Sequence, residues 1–294
     1  MSHIPTLTLD PGTISTAKLH AYMLSAVAPR PIAFASTIDA AGNVNLSPFS
    51  FFNVFGSNPP IMIFAPARRV RDNTTKHSFE NVREVPEAVI NIVNYPIVEQ
   101  MSLASTEYAK GVNEFVKSGL TPVASDLVRP PRVAEAPAAF ECKVTQIIET
   151  GQEGGAGALI ICEVLRAHIH EAVLDAEGHI DPFKIDLVAR MGGNWYCRAN
   201  GEALFEIPKP LVTKGIGVDQ LPQHIRQSDV LTGNNLARLA NVESLPQAEA
   251  VAAFQNSPEA QQLLTQTLEA RHQYAQRLLA QGKVAEAWLV LLLD

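Results

Sequence analysis

Short runs of Val, Ile and Phe, bounded by Pro, Gly and Asn, fill the first two thirds of the chain, and this spacing predicts strands. Candidates lie at 32–39, from Val44 onward, and at 61–64, 88–93, 140–149, 159–170 and 185–189. The turn Ala40-Ala41-Gly42-Asn43 makes the first two a hairpin. Helical candidates are 16–28, stopped by Pro29 and Pro31, then 72–84, opened by Asp72 as its cap, and 96–110, with Pro96 in its first turn. Hairpin-linked strands with a helix inserted between some of them favour a mostly antiparallel barrel over a parallel βαβ series.

At Ile207-Pro208-Lys209-Pro210 the pattern changes to a Pro- and Gly-punctuated connector that runs to about 224, and then to Ala-, Gln- and Leu-rich helix over 258–292. Ser257-Pro258 is a helix start and Gly282 a stop. These features set a boundary near 210, with a barrel domain at 1–210 and a connector with helical extension at 211–294. The apolar stretch 278–293 must be covered, either by the barrel, by a second subunit, or within a single tetratricopeptide-like helix pair.

With 294 residues, 47% of them apolar, the chain can bury a large core. A net charge of −7, from 23 Lys plus Arg against 30 Asp plus Glu, leaves no basic field for a nucleic-acid backbone or an anionic membrane. The N-terminus has no basic and apolar leader pattern, and no stretch reaches the ~18 apolar residues of a spanning helix, so the expected location is the cytoplasm. Cys142, Cys162 and Cys197 are far apart and outside any Cys-x-x-Cys spacing, which reads as reduced, buried thiols.

The chemistry concentrates in one region. The stretch NLSPFSFFNVFGSNPP at 45–60 interleaves Phe49, Phe51, Phe52 and Phe55 with polar residues and breaks on two prolines. Before it stands Arg-Pro-Ile-Ala-Phe-Ala-Ser-Thr at 30–37, and after it Arg-Asp-Asn-Thr-Thr at 71–75. Taken in order, these blocks resemble the flavin reductase-like family of FMN-binding split barrels, over about 20–210. The resemblance implies a mostly β fold with helices, an antiparallel, Greek-key-like split β-barrel, followed here by the α-helical C-terminal extension. It also implies FMN as cofactor, NAD(P)H as a transient electron donor, a homodimer, and free flavin or a partner oxygenase as electron acceptor.

The residues support that reading on physical grounds. FMN needs an apolar surface for its ring, hydrogen-bonding groups for the ring edge, and cations with hydroxyls or N–H groups for its phosphate. On an extended segment Phe51 and Phe52 face opposite ways, so one at most lies on the ring while the other is core. Asn45, Ser47, Ser50 and Asn53 can bond the ring edge or ribityl chain, or serve as turn caps. Arg68, Arg69 and Arg71, followed by Asn73, Thr74 and Thr75 at a helix start, form the expected phosphate block. Ser36 and Thr37 are secondary candidates.

A later block, Val-Ala-Arg-Met-Gly-Gly-Asn-Trp-Tyr at 188–196, is similar to one near the end of the barrel in a branch of the family. It offers Arg190 to a phosphate or ring edge, or else closes the core with Trp195 and Tyr196 inside. Two departures stand out: the family's Gly-x-His stretch reads GQEGGAG at 151–157, and a Lys-Phe pair corresponds to Glu114-Phe115. FMN binding is therefore better supported than NAD(P)H oxidation. His168 and His170, with Asp175, His179 and Asp181, lack an evident third ligand on a rigid element; a solvent-edge or subunit-contact role is favoured over a metal site, and none is expected. No catalytic residue is assigned.

Overall fold

The computed structural model describes residues 4–207 and 214–293. Two compact units emerge, Met1–Phe205 and Glu206–Asp294. The expected boundary at 210 itself lies outside the described residues.

The first unit opens with helix α1 (Thr16–Ala26), capped by the Ser15 hydroxyl, which accepts from the Lys18 N–H at 3.3 Å. The strands β1 (Ala33–Ile38) and β2 (Val44–Phe49) pair antiparallel through the expected turn, where Asp39 Oδ1 accepts from the Asn43 N–H at 2.8 Å. Next come β3 (Phe52–Ser57), β4 (Pro60–Phe64), α2 (His77–Glu84) and β5 (Glu87–Ile92). After α3 (Val98–Ala104) and α4 (Glu114–Ser118) follow the short pair β6 (Pro122–Val123) and β7 (Arg132–Val133), then the long hairpin β8 (Ala138–Glu149) and β9 (Ala158–Ile169). Helix α5 (Pro182–Ile185) and the hairpin β10 (Leu187–Arg190) and β11 (Tyr196–Ala199) complete the unit.

Seven strands form one antiparallel sheet in the order β2-β1-β5-β8-β9-β4-β3. β2 and β3 are its two edges and do not pair with each other, so the barrel is split. All six residues of β1 are buried because both its faces are covered. Ala33 and Ala35 face an inner core with Phe49, Phe64, Ile90 and Cys162, closed by Phe79 and Val82 of α2. Phe34 points the other way, to Leu46, Met101 and Phe115 beneath α3 and α4.

Helix boundaries depart from the sequence pattern for local reasons. The helix expected over 72–84 begins only at His77, and Asp72 is not its cap. Asp72 Oδ1 instead accepts from the Thr74 N–H at 3.1 Å, and Asn73 has φ 56°, a left-handed conformation that no helix continues through. The helix expected over 96–110 is reduced to α3, because Tyr95–Ile97 forms a 3₁₀ turn and the Ser105 hydroxyl donates to the Ser102 carbonyl at 2.6 Å. The strand expected at 185–189 starts at Leu187, after α5.

The second unit is helical throughout its described elements: α6 (Gln223–Arg226), α7 (Gly233–Ala240), α8 (Ala248–Gln255), α9 (Pro258–Leu264), α10 (Leu268–Ala280) and α11 (Val284–Leu291). The helix expected from Pro258 to the stop at Gly282 is broken into two, α9 and α10, and α11 follows the stop as the expected second, apolar helix. Ser257 and Thr267 each cap a new helix, and Gly282, at φ 78°, separates the last two. Between the connector and residue 258, α7 and α8 add two helices that the sequence pattern does not predict; α7 carries a capping box between Thr232 and Asn235. The apolar end of the chain is covered inside this unit, where buried Trp288 and Leu291 join Leu239, Leu263 and Leu279 in one core and the Trp288 indole donates to the Leu239 carbonyl at 3.1 Å.

Candidate functional site

The loop from Pro66 to Lys76 docks on the β8–β9 turn. The Arg68 N–H donates to the Ala156 carbonyl at 2.8 Å, the Gly155 N–H donates to Arg68 at 3.0 Å, and the Asn73 amide donates to the Gln152 carbonyl at 3.0 Å. A Cβ on Gly154 would lie 3.1 Å from the carbonyl oxygens of Arg69 and Val70, so a side chain there would push the two loops apart by a few tenths of an ångström and glycine allows the close approach. The stretch that lacks the family's histidine therefore supports the cation loop.

A cleft opens between these segments and α2, lined among others by Arg68, Thr75, Lys76, Phe79, Gly151 and Gly157. Arg68 is held by Asn73, its Nε 2.7 Å from Oδ1 and its Nη2 2.8 Å from the carbonyl, and it pairs with no carboxylate among the described residues. Lys76 occupies the cap position of α2, and no side chain caps that helix. An N-terminus with free N–H groups, beside an uncompensated guanidinium and an ammonium, is suited to an anion. Lys76 escaped the sequence reading because it lies just past the arginine run, and only the late start of α2 brings it to the cleft.

The other expected residues divide into groups. Thr75 lines the cleft, but its hydroxyl donates to Glu80 at 2.7 Å, and that of Thr74 donates to Asp72 at 2.6 Å. Hydrogen bonds from Thr74 and then the Arg71 guanidinium hold the Asp72 carboxyl down at about 2. Arg71 turns outward, its side chain 74% exposed and paired with Asp72 and Glu107.

Asn45 donates to the Ser78 hydroxyl at 2.8 Å and lies 3.4 Å from that of Ser47, which ties β2 to the first turn of α2. Thr37 accepts from Asn81 at 3.2 Å, while the buried Ser36 hydroxyl has no partner among the described residues. Phe52 packs on the inner core and Phe51 is exposed, in line with their opposite directions. Asn53 is exposed, its side chain accepting from the Val54 N–H at 2.8 Å.

Ser50 is reached by a residue the sequence reading missed. Arg30 is only 6% exposed, with its Nε 3.4 Å from the Ser50 hydroxyl, Nη1 donating to the Leu24 and Val27 carbonyls, and Nη2 donating to Met191 at 2.9 Å. It joins α1, the Ser50 corner and the β10–β11 turn. Burial, and then the nearby Arg190, lower its pKa. Arg190 lies over the Tyr196 ring at 4.6 Å and donates to Gly193 at 2.8 Å, outside the cleft lining. The close approach at Gly192 is to α1, since a Cβ there would overlap Ser25. Trp195 is 77% exposed, so it is no part of a core-closing turn.

Glu114 and Phe115 are buried, and the Glu114 carboxylate accepts from the Leu46 N–H on edge strand β2 at 3.0 Å, with burial raising its pKa. His168 Nε2 lies 2.7 Å from Oε1 of the fully buried Glu141, and with Asp126 the ligand-type atoms fall within 4.8 Å of one another. Both Glu141 oxygens, however, accept backbone N–H groups, from Asp126 at 2.8 Å and Leu127 at 2.6 Å, and Arg166 binds Asp126 at 2.8 Å. This is a carboxylate anchoring a loop. Asp175 and Asp181 cap a turn and α5.

A flavin reductase like domain matches residues 24–184. An uncharacterized protein of Halalkalibacterium halodurans is 33% identical over 208 residues, covering 70% of this chain and 98% of that protein. Among solved structures, nitrilotriacetate monooxygenase component B from Bacillus cereus is 26% identical at a TM-score of 0.65, covering 70% of this chain and 100% of that one. A protein of Shewanella frigidimarina with a split barrel domain is 28% identical at a TM-score of 0.57, covering 67% and 95%. Sheet order, domain match and relatives agree: the chain belongs to the flavin reductase-like family of split-barrel oxidoreductases.

Proposed function

We propose that the first unit binds FMN and that the protein is an NAD(P)H-dependent flavin reductase, a homodimer passing electrons to free flavin or to a partner oxygenase. The observation that carries the reading is the cleft where Arg68, without a carboxylate partner among the described residues, meets Lys76 and the uncapped start of α2. The likeness to a monooxygenase component supports an oxygenase as partner. We assign residues 1–210 to flavin binding and 211–294 to a helical extension. The unbridged cysteines suit a cytoplasmic protein.

FMN, when bound, supplies a two-electron acceptor and donor that no side chain can replace. The chain's own part is binding and orientation. Arg68 and Lys76 would neutralise the phosphate, and the first N–H groups of α2 would receive its oxygens. Asn45 and Ser47 keep α2 fixed to β2, while Arg30 fixes the Ser50 corner and leaves Phe51 exposed as a surface for an aromatic ring. Nothing here requires a general acid or base, so positioning is the protein's contribution.

A second reading, an FMN-binding electron carrier without NAD(P)H activity, is favoured by the stretch 151–157, which has no histidine and is engaged by the cation loop. The absorption spectrum of purified protein under anaerobic conditions, before and after NADH or NADPH, tests both. Flavin bands that bleach support the reductase, and bands that persist support the carrier. A colourless protein that gains no bands with added FMN overturns both.

A further inference from the structure

Three of the four cations in the loop 68–76 are tied to one carboxylate from outside it. Glu107, in the loop between α3 and α4, accepts through Oε1 from Arg69 Nε at 2.8 Å and from Lys76 Nζ at 3.3 Å, and through Oε2 from Arg71 Nη2 at 3.2 Å. Hydrogen bonds from Arg69 and then Lys76 hold its carboxyl down at about 2, so it is charged throughout the neutral range. Arg69 also donates to the Thr74 hydroxyl and the Thr75 carbonyl, and Arg71 to Asp72. Lys76 has no other hydrogen-bond acceptor among the described residues, and it is also the residue that lines the cleft beside Arg68.

We propose that Glu107 limits the affinity of the cleft for the flavin phosphate, and so keeps a phosphorylated flavin exchangeable. The inference rests on the flavin reading above. A phosphate monoester brought to the cleft is attracted by Arg68 and Lys76 together, but the ammonium that draws it in already shares its charge with a carboxylate 3.3 Å away. Phosphate and Glu107 then stand as like charges around one cation, and their repulsion offsets part of the attraction. A flavin without phosphate meets no such opposition. Glu107 therefore sets the ratio of the two affinities, and its effect weakens with salt because its side chain is 43% exposed.

The fluorescence of FMN and of riboflavin, titrated with wild-type protein and Glu107→Gln at low ionic strength, tests this. The variant keeps the shape of the side chain and removes its charge at an exposed loop position, and unchanged riboflavin binding reports that the loop is kept. FMN should bind roughly two- to fivefold tighter and dissociate more slowly, as expected for one partly exposed ion pair, with riboflavin unchanged. In a Lys76→Met background the gain should shrink, since the shared cation is gone. Weaker FMN binding in Glu107→Gln, equal tightening of both flavins, or a gain undiminished by Lys76→Met overturns the inference and leaves the flavin reading standing. Failure of the wild-type protein to bind either flavin overturns both.

Discussion

Arg68 and Arg71 carry the same charge three positions apart, yet their surroundings give them different work. Arg68 is locked by two bonds to Asn73 and faces the cleft; Arg71 is 74% exposed and spends its charge on Asp72 and Glu107. A charge-assisted bond to phosphate is worth about 1.5–3 kcal/mol. Arg68→Ala should therefore raise the Kd of FMN roughly tenfold or more while leaving riboflavin within about twofold, and Arg71→Ala should change neither by more than about twofold. Parallel fluorescence titrations of the two variants check this, and equal losses would show that the outward arginine swings in. From the sequence the run of arginines reads as one candidate anion block, without distinction among its members. Its sorting was not legible there, because the sorting is done by Glu107, distant in sequence, and by the left-handed Asn73. Arg30 was hidden for a related reason, since an arginine between two prolines reads as a surface residue until three chain segments close around it.

At the level of elements, the short apolar runs of β1 and β5 and the Val- and Ile-rich β8–β9 hairpin were legible because each strand carries its own pattern, a β-prone run with turn residues at its ends. The helices of the second unit were less so. Pro and Gly punctuation masked α7 and α8, and, beyond the legible start at Ser257, the cap Thr267 cuts a run whose apolar spacing is nearly continuous. Since Trp288, Leu278 and Leu279 share a core with Leu239 and Ile225, deleting residues 258–294 would cut through that core rather than remove an appendage. A fragment of residues 206–294 should show helical circular dichroism and a cooperative melt, and Trp288→Ala should destabilise it by about 3–5 kcal/mol. The same core holds a pH-sensitive group. His272 is 3% exposed, its Nδ1 2.7 Å from the Ser228 hydroxyl and its Nε2 buried without a partner among the described residues. Burial, then His224 and Arg271, keep its pKa below the ordinary 6.5. With the folded value below the unfolded one, its contribution to stability is present above 6.5 and is lost as pH falls through the folded value. The melting temperature of the fragment should drop on acidification below 6.5, and His272→Gln should flatten that dependence.

At the scale of the whole molecule, the first unit leaves apolar surface that its own fold does not use. No residue of α1 is buried, although Tyr22 and Met23 lie on it, and Val27 just after it is 66% exposed. On edge strand β3, Val54 is 59% and Phe55 64% exposed, and Phe51 reaches α1 through an edge contact with His20 at 6.0 Å. An exposed edge strand with large apolar side chains invites association, and this strand bears neither Lys nor an inward charge; its one interruption is the register shift between Val54 and Gly56, which displaces Phe55 outward. A second copy of the chain, seated on α1 and β3, would cover both and would close the exposed side of Phe51 beside the Ser50 corner that Arg30 holds. The protein should therefore be a dimer by light scattering, and Val54→Lys with Phe55→Asp should yield monomers that keep the far-UV spectrum, because neither side chain belongs to a core. If Phe51 takes part in holding the flavin ring, those monomers should also bind riboflavin more weakly while the phosphate's contribution, the ratio of riboflavin to FMN affinity, stays as in the wild type. A dimer unaffected by both substitutions would place the interface elsewhere and leave β3 free to receive the electron acceptor.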